Sequence, residues 1–276
     1  MHGVIVSAEV PDSAVLRVKA ALACYFDDAF ASHASAARVW RVPVSTRPGE
    51  HVTVPLDGHR LRRSGVTSHH RVGAAVSVVH GVRVSVLADL FVELADELSL
   101  VGLVVAGDWM VRRHGVRIKQ LKGAAKKVRG RAGALARRAA RFVRRRVDSP
   151  METRLRMLIV LAGLPEPAVN VSIRDEHGVE VRRYEVSWPE VRVVVEYDGR
   201  HHIERVEQWE RDLARREAID HDDWRIVVVV SAGIYKHPEQ TVERVFRVLS
   251  ARGLPGLPEA PSEAWRLHFP GFGATA

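Results

Sequence analysis

The chemistry of this chain concentrates between Tyr184 and Asp212, in a stretch reading YEVSWPEVRVVVEYDGRHHIERVEQWERD. An apolar run from Arg192 to Tyr197 leads into Glu196 and Asp198 at a glycine turn. Successive side chains of a strand alternate faces, so Glu196 and Asp198 project to the same side. Neighbouring carboxylates repel unless a cation lies between them, and a hard divalent ion with oxygen ligands, Mg²⁺ or Mn²⁺, is the matching partner. Glu185 precedes a short Trp188-Pro189-Glu190 turn, so a hairpin brings a third carboxylate to the same end of the sheet. Three acids meeting there point to metal-assisted phosphodiester chemistry, with Glu185, Glu196 and Asp198 as the metal ligands. Taken alone, E-x-D-G is also what a strand running into a glycine turn looks like.

The elements that must position these acids form a compact α/β pattern. Ser149-Pro150-Met151-Glu152 is a helix start, with a serine cap, proline at the first helical position and glutamate at the third. The helix is expected from Pro150 to about Ala162, followed by strands at Val169–Ile173, Val179–Val186 and Arg192–Tyr197. A helix carrying Trp209, Leu213 and Ile219 comes next. Arg225–Val230 reads RIVVVV, as expected of a strand buried on both faces, and Thr241–Ser250 is a last helix. From Gly253 onward the Pro/Gly-rich end is expected to be a loosely ordered tail.

The upstream region is mixed α+β. Asp12-Ser13 caps an expected helix, Ser32–Trp40 is a second, and His51–Leu56 and Gly65–Arg71 alternate as strands. His69 and His70 are adjacent and point to opposite faces of their strand, so the sequence does not assign them a metal. Leu87, Leu90, Phe91 and Leu94 follow helical spacing, and a more apolar helix is expected over Leu98–Arg112.

The chain has 276 residues, enough for two modest domains, with 46% hydrophobic and 27% charged residues. No apolar run is long enough to span a bilayer, and the N-terminus lacks the succession of a signal peptide. A cytoplasmic protein is expected. The single cysteine, Cys24, excludes an internal disulfide and a cysteine-rich zinc site. Fifteen Lys or Arg and no acid fall between Arg112 and Arg146, so a chain of net charge +9 is −6 outside that block. Such a block is either a solvated face or a phosphate-binding one. In the second case Arg137, Arg138, Arg141, Arg144, Arg145 and Arg146 are the candidate DNA contacts. Gly123, Gly130 and Gly133 each weaken a helix by about 1 kcal/mol relative to alanine, so a hinged helical connector is expected there.

The order helix, three-stranded meander, helix, strand, helix, with Glu152, Glu185, Glu196 and Asp198 in place, resembles the restriction-endonuclease-like PD-(D/E)XK fold. More closely, Glu196-Tyr197-Asp198-Gly199 with His202, then Asp212 and Arg215, Ile219, and Trp224-Arg225-Ile226-Val227 resemble the bacterial domain of unknown function 559, a relative of the very-short-patch-repair endonucleases. Ala31–Pro43 and Ser149–Pro167 are similar to segments of bacterial proteins in which that domain follows a type IV abortive-infection antitoxin-like region. Those proteins commonly begin with a winged helix-turn-helix, and His2-Gly3-Val4-Ile5-Val6 is similar to the last strand of such a wing, so Met1 is expected to be an internal start.

The resemblance implies an α+β antitoxin-like region over 1–110, a basic helical connector over 111–148, a restriction-endonuclease-like α/β domain with a central mixed sheet flanked by helices over 149–252, and a tail over 253–276. It also implies Mg²⁺-dependent hydrolysis of DNA, with Glu185, Glu196, Asp198, His202, Glu152, Asp212 and Arg215 at the site. Two positions depart from the pattern. Glu185 stands where the family usually has aspartate, and Asp198 takes the place of the signature lysine, which leaves His202 or a metal-held water to activate the nucleophile. Arginine cannot serve as that base. Glu152 also suits a helix-capping role, and Asp212 with Arg215 also suits a surface ion pair. A DNA-binding regulator of the antitoxin type that has lost turnover is the alternative.

Overall fold

Two compact units divide the chain, Met1–Arg145 and Arg146–Ala276. The structure is a computed structural model that describes residues 4, 5, 7, 9–43, 45, 48–174, 176–199 and 223–271. It is a mixed α/β protein with a separate mixed sheet in each unit. Among the described residues no helix is long and apolar enough to cross a membrane.

The first unit opens with α1 (Ala14–Leu22), whose cap Ser13 accepts the Leu16 N–H. Next come β1 (Phe30–Ala31), α2 (His33–Val39), β2 (Glu50–Val54) and β3 (Val66–His70). The unit's sheet is completed by a hairpin, β4 (Val76–Val79) and β5 (Val82–Ser85), giving the order β3-β2-β1-β5-β4. His80 and Gly81 both take positive φ at its two-residue turn, the geometry that matches the twist of paired strands. The parallel β2–β3 pairing sets Thr53 against His69 and His51 against Thr67. His51 and His69 therefore share a sheet face, while His70 takes the other.

Helices α3 (Leu87–Glu93) and α4 (Leu100–His114) follow. Leu90, Phe91, Leu103, Val104 and Met110 are fully buried. The basic block, expected as a hinged connector, instead completes α4 and forms α5 (Ile118–Lys127) and α6 (Gly130–Phe142), both packed inside the first unit. Each has a small apolar face, Leu121, Ala124 and Ala125 on α5 and Ala136, Ala139 and Ala140 on α6, which buries while the cations face outward. Gly133 is needed for close approach and not for bending, since a Cβ there would lie 2.0 Å from the Val128 carbonyl oxygen. The buried Asp108 of α4 accepts the Arg144 N–H at 2.7 Å and fixes the chain just past α6.

The second unit runs α7 (Pro150–Leu161), β6 (Ala168–Arg174), β7 (Glu180–Trp188), β8 (Val193–Tyr197), β9 (Arg225–Val229), α8 (Ser231–Tyr235) and α9 (Pro238–Ala251). Its sheet order is β6-β7-β8-β9, with β6, β7 and β8 an antiparallel meander and β9 parallel to β8. Val193, Val194 and Val195 of β8 are wholly buried, and Ile226, Val227, Val228 and Val229 of β9 are buried, so both strands are covered on both faces. The expected loose tail is packed over its described part. Leu254, Trp265 and Phe269 are buried, and the Ser262 N–H donates to the Ala162 carbonyl. Three large apolar side chains outweigh the Pro/Gly composition that suggested disorder.

Candidate active site

The carboxylate site is built from the register of two strands. Trp188 pairs with Val193, Ser187 with Val194 and Val186 with Val195, so Glu185 and Glu196 are the next residues past the last pair of the ladder. Opposed residues of antiparallel neighbours share a face. Glu185 is half-buried, and its Oε2 accepts the Tyr197 N–H at 2.8 Å. Burial first, then the negative charges of Glu152, Glu196 and Asp148, push its carboxyl up to about 7, against the opposing pull of the Tyr197 N–H. Asp198 lies just past the end of β8, where its N–H donates to the Val229 carbonyl and continues the parallel ladder.

Glu152 approaches from the N-terminus of α7. Ser149 Oγ accepts the Glu152 N–H at 3.1 Å, while Glu152 Oε2 accepts the Asp148 N–H at 3.0 Å and the Asn170 Nδ2–H at 2.8 Å. The Ser149 cap is thus formed, while the Glu152 carboxylate takes the N–H of Asp148, one residue before the cap, rather than that of Ser149 expected of a capping box. The same buried carboxylate is among the charges that raise Glu185, so one residue holds the helix start and adds to the site's negative field.

The described residues therefore bring Glu152, Glu185 and Glu196 into one electrostatic group, with Asp198 two residues along β8 from Glu196. His202, Asp212 and Arg215 lie outside the described residues, as does the expected helix carrying Trp209. The carboxylate oxygens of Glu152, Glu185, Glu196 and Asp198 are hard donors of the kind Mg²⁺ or Mn²⁺ takes, but among the described residues these acids do not form a set of three ligand atoms within 4.8 Å of one another, as His33, His51 and His69 do.

The six arginines of the basic block are differently occupied. Arg138, Arg141, Arg145 and Arg146 are exposed. Arg137 Nη1 donates to the Ala125 and Val128 carbonyls at the end of α5, and Arg144 Nη1 donates to those of Arg141 and Val143. Two of the six thus close off helix ends as well as carrying charge.

The sequence reading missed a second polar group, in the first unit. The ligand nitrogens of His33, His51 and His69 all lie within 4.8 Å of one another. Alternation along β3 correctly separates His69 from His70. It cannot reveal that His69 faces histidines from α2 and β2, because that depends on pairings 18 and 36 residues away in the chain.

No family model matches the chain. It is similar to two uncharacterized proteins of Mycobacterium tuberculosis, from two strains, each 28% identical over 201 residues that cover 72% of this chain and 74% of the relative.

Proposed function

We propose that the chain is a cytoplasmic, divalent-metal-dependent endonuclease that hydrolyses DNA phosphodiester bonds, with a restriction-endonuclease-like second unit carrying the active site. The observation that carries this reading is the group of acids around Glu185. A half-buried carboxylate lifted to about 7, by burial first and then by Glu152, Glu196 and Asp148, is costly to ionise unless a cation lies beside it. The order of elements supports it, since α7, the antiparallel meander β6-β7-β8 and the parallel strand β9 follow the arrangement that the sequence resemblance implies.

Glu185 and Glu196 hold the ion, with Asp198 as a third or water-mediated ligand. When bound, Mg²⁺ or Mn²⁺ supplies polarisation of a phosphate oxygen and a bound water of lowered pKa. By resemblance, His202 takes or relays a proton and Arg215 offsets charge developing on the phosphate. The exposed arginines of the basic block contact the DNA backbone without reading its sequence.

One observation favours a second reading, a DNA-binding regulator without turnover. Asp198 occupies the place of the signature lysine, and Glu185 is longer than the usual aspartate by one methylene. Plasmid cleavage in Mg²⁺ or Mn²⁺ separates the two. Cleavage that is lost in Glu196→Gln supports the enzyme, DNA binding without cleavage supports the regulator, and neither binding nor cleavage overturns both.

A further inference from the structure

Three elements of the first unit bring imidazoles together. His33 begins α2, His51 lies on β2 and His69 on β3. The His33 and His69 rings stack with centroids 3.9 Å apart and planes inclined by 13°, and His51 stands 5.2 Å from His69. His51 Nδ1 and His69 Nε2 are 3.0 Å apart. Nitrogens bound to one zinc ion at about 2.0–2.1 Å in tetrahedral geometry are about 3.3 Å from each other. With the His33 and His69 planes inclined by only 13°, those two rings must rotate out of their stack before both can point a nitrogen at one ion.

The surroundings are those of a ligand set. Ser32 Oγ holds His33 through Nδ1 at 2.9 Å, and its Nε2 lies 3.7 Å from Asp96 Oδ2. The His51 side chain is 11% exposed, and its Nε2 faces Glu97 Oε1 at 3.6 Å. Both carboxylate oxygens of Glu97 are buried and make no hydrogen bond, a costly arrangement for a charged group. In the metal-free protein the close His51–His69 contact requires a proton on one of the two facing nitrogens. With an ion on His51 Nδ1, that ring carries its proton on Nε2, the atom facing Glu97. Metal binding thus fixes the one tautomer in which His51 donates toward Glu97, the carboxylate–histidine–metal arrangement that orients such ligands. A cavity of about 310 Å³ lined by His33, His69, Thr53 and Arg71 gives the group an opening.

We infer that His33, His51 and His69 form a binding site for a transition-metal ion of the zinc class, with Glu97 behind His51 and the fourth position left to water or a small anion from the cavity. Three nitrogen donors select such an ion over Mg²⁺, which takes oxygens.

The test is Zn²⁺ and Co²⁺ titration of the full chain after chelator treatment, by calorimetry and by the visible absorption of tetrahedral Co²⁺. One equivalent of tight binding is expected in the presence of excess Mg²⁺. His51→Gln and His69→Gln should each weaken it by more than about 100-fold, and Glu97→Gln, which leaves all three ligands, by about 10- to 100-fold. His70→Gln, on the opposite face of β3, and Glu196→Gln, at the carboxylate site, should bind as wild type. If the ligand variants fail to fold, the wild-type Co²⁺ spectrum and the Glu97→Gln affinity decide. Absence of the tetrahedral spectrum, or unchanged affinity in Glu97→Gln and in the folded ligand variants, overturns the site.

Discussion

Replacing Glu185 by glutamine isolates the energetic cost of the carboxylate site. The folded carboxyl titrates at about 7 and the ordinary value is 4.5, so the folded state holds its proton more tightly than the unfolded chain does. Between those two values folding takes up a proton, and stability falls as pH rises. Below pH 4.5 both states are protonated and the cost is absent; above 7 both are ionised and it is complete. At 1.36 kcal/mol per unit the full cost is about 3 kcal/mol. Glutamine keeps the volume and still offers an oxygen to the Tyr197 N–H, but cannot ionise. Denaturant unfolding of metal-free protein should therefore show the Glu185→Gln second unit more stable than wild type by about 3 kcal/mol at pH 8, and nearly equal to it at pH 4.5. Millimolar Mn²⁺ should stabilise wild type and leave the variant unchanged. An equal difference at both pH values would show that the carboxylate is not strained by its surroundings.

Three further outcomes test other parts of the account. Glu185→Asp should increase plasmid cleavage if the longer side chain misplaces the ligand oxygens, and a decrease in kcat would show that the site is fitted to glutamate. Arg138, Arg141 and Arg145 changed together to alanine should weaken DNA binding and flatten the dependence of log affinity on log salt, by about 0.9 for each phosphate no longer neutralised; an unchanged slope assigns these cations to solvent. Gly133→Ala should destabilise the first unit by about 1–3 kcal/mol despite alanine's better helix propensity, because its Cβ meets the Val128 carbonyl; thermal unfolding of the variant checks this.

Local signals in the sequence translated well into elements. Ser149-Pro150-Met151-Glu152 starts a helix with the expected serine cap, and RIVVVV gives a buried strand over Arg225–Val229. Both depend on neighbours in the chain or on strong apolar content. The β4–β5 hairpin went unrecognised although valines alternate on both sides of His80-Gly81, since that turn relies on a histidine with positive φ. The packed end of the chain was hidden by composition, because Trp265 and Phe269 are few among prolines and glycines. At the carboxylate site, the hairpin after Glu185 was legible from the Trp188-Pro189-Glu190 turn, and the structure pairs those strands from Trp188 with Val193 to Val186 with Val195. The histidine trio was illegible because it is made by a parallel pairing and a helix start, neither of which leaves a local pattern.

The corner between β7 and β8 sets a limit on how this protein can vary. Pro189–Val191 form a single 3₁₀ turn, and Arg192 closes it in the left-handed region with φ 51° and its N–H on the Pro189 carbonyl. Because strand side chains have a period of two, adding or deleting one residue here would carry Glu196 and Asp198 to the opposite face and bring their neighbours toward Glu185. Paired two-residue changes would keep the face but move the acids along the strand. Descendants of this sequence that keep the site should hold the length of this corner constant while exposed Pro189 and Glu190 vary in type and position 192 keeps to residues that tolerate a positive φ. A relative with an odd insertion at this corner would not present its acids to one face, and under the proposed reading it should neither take the ion nor cleave DNA.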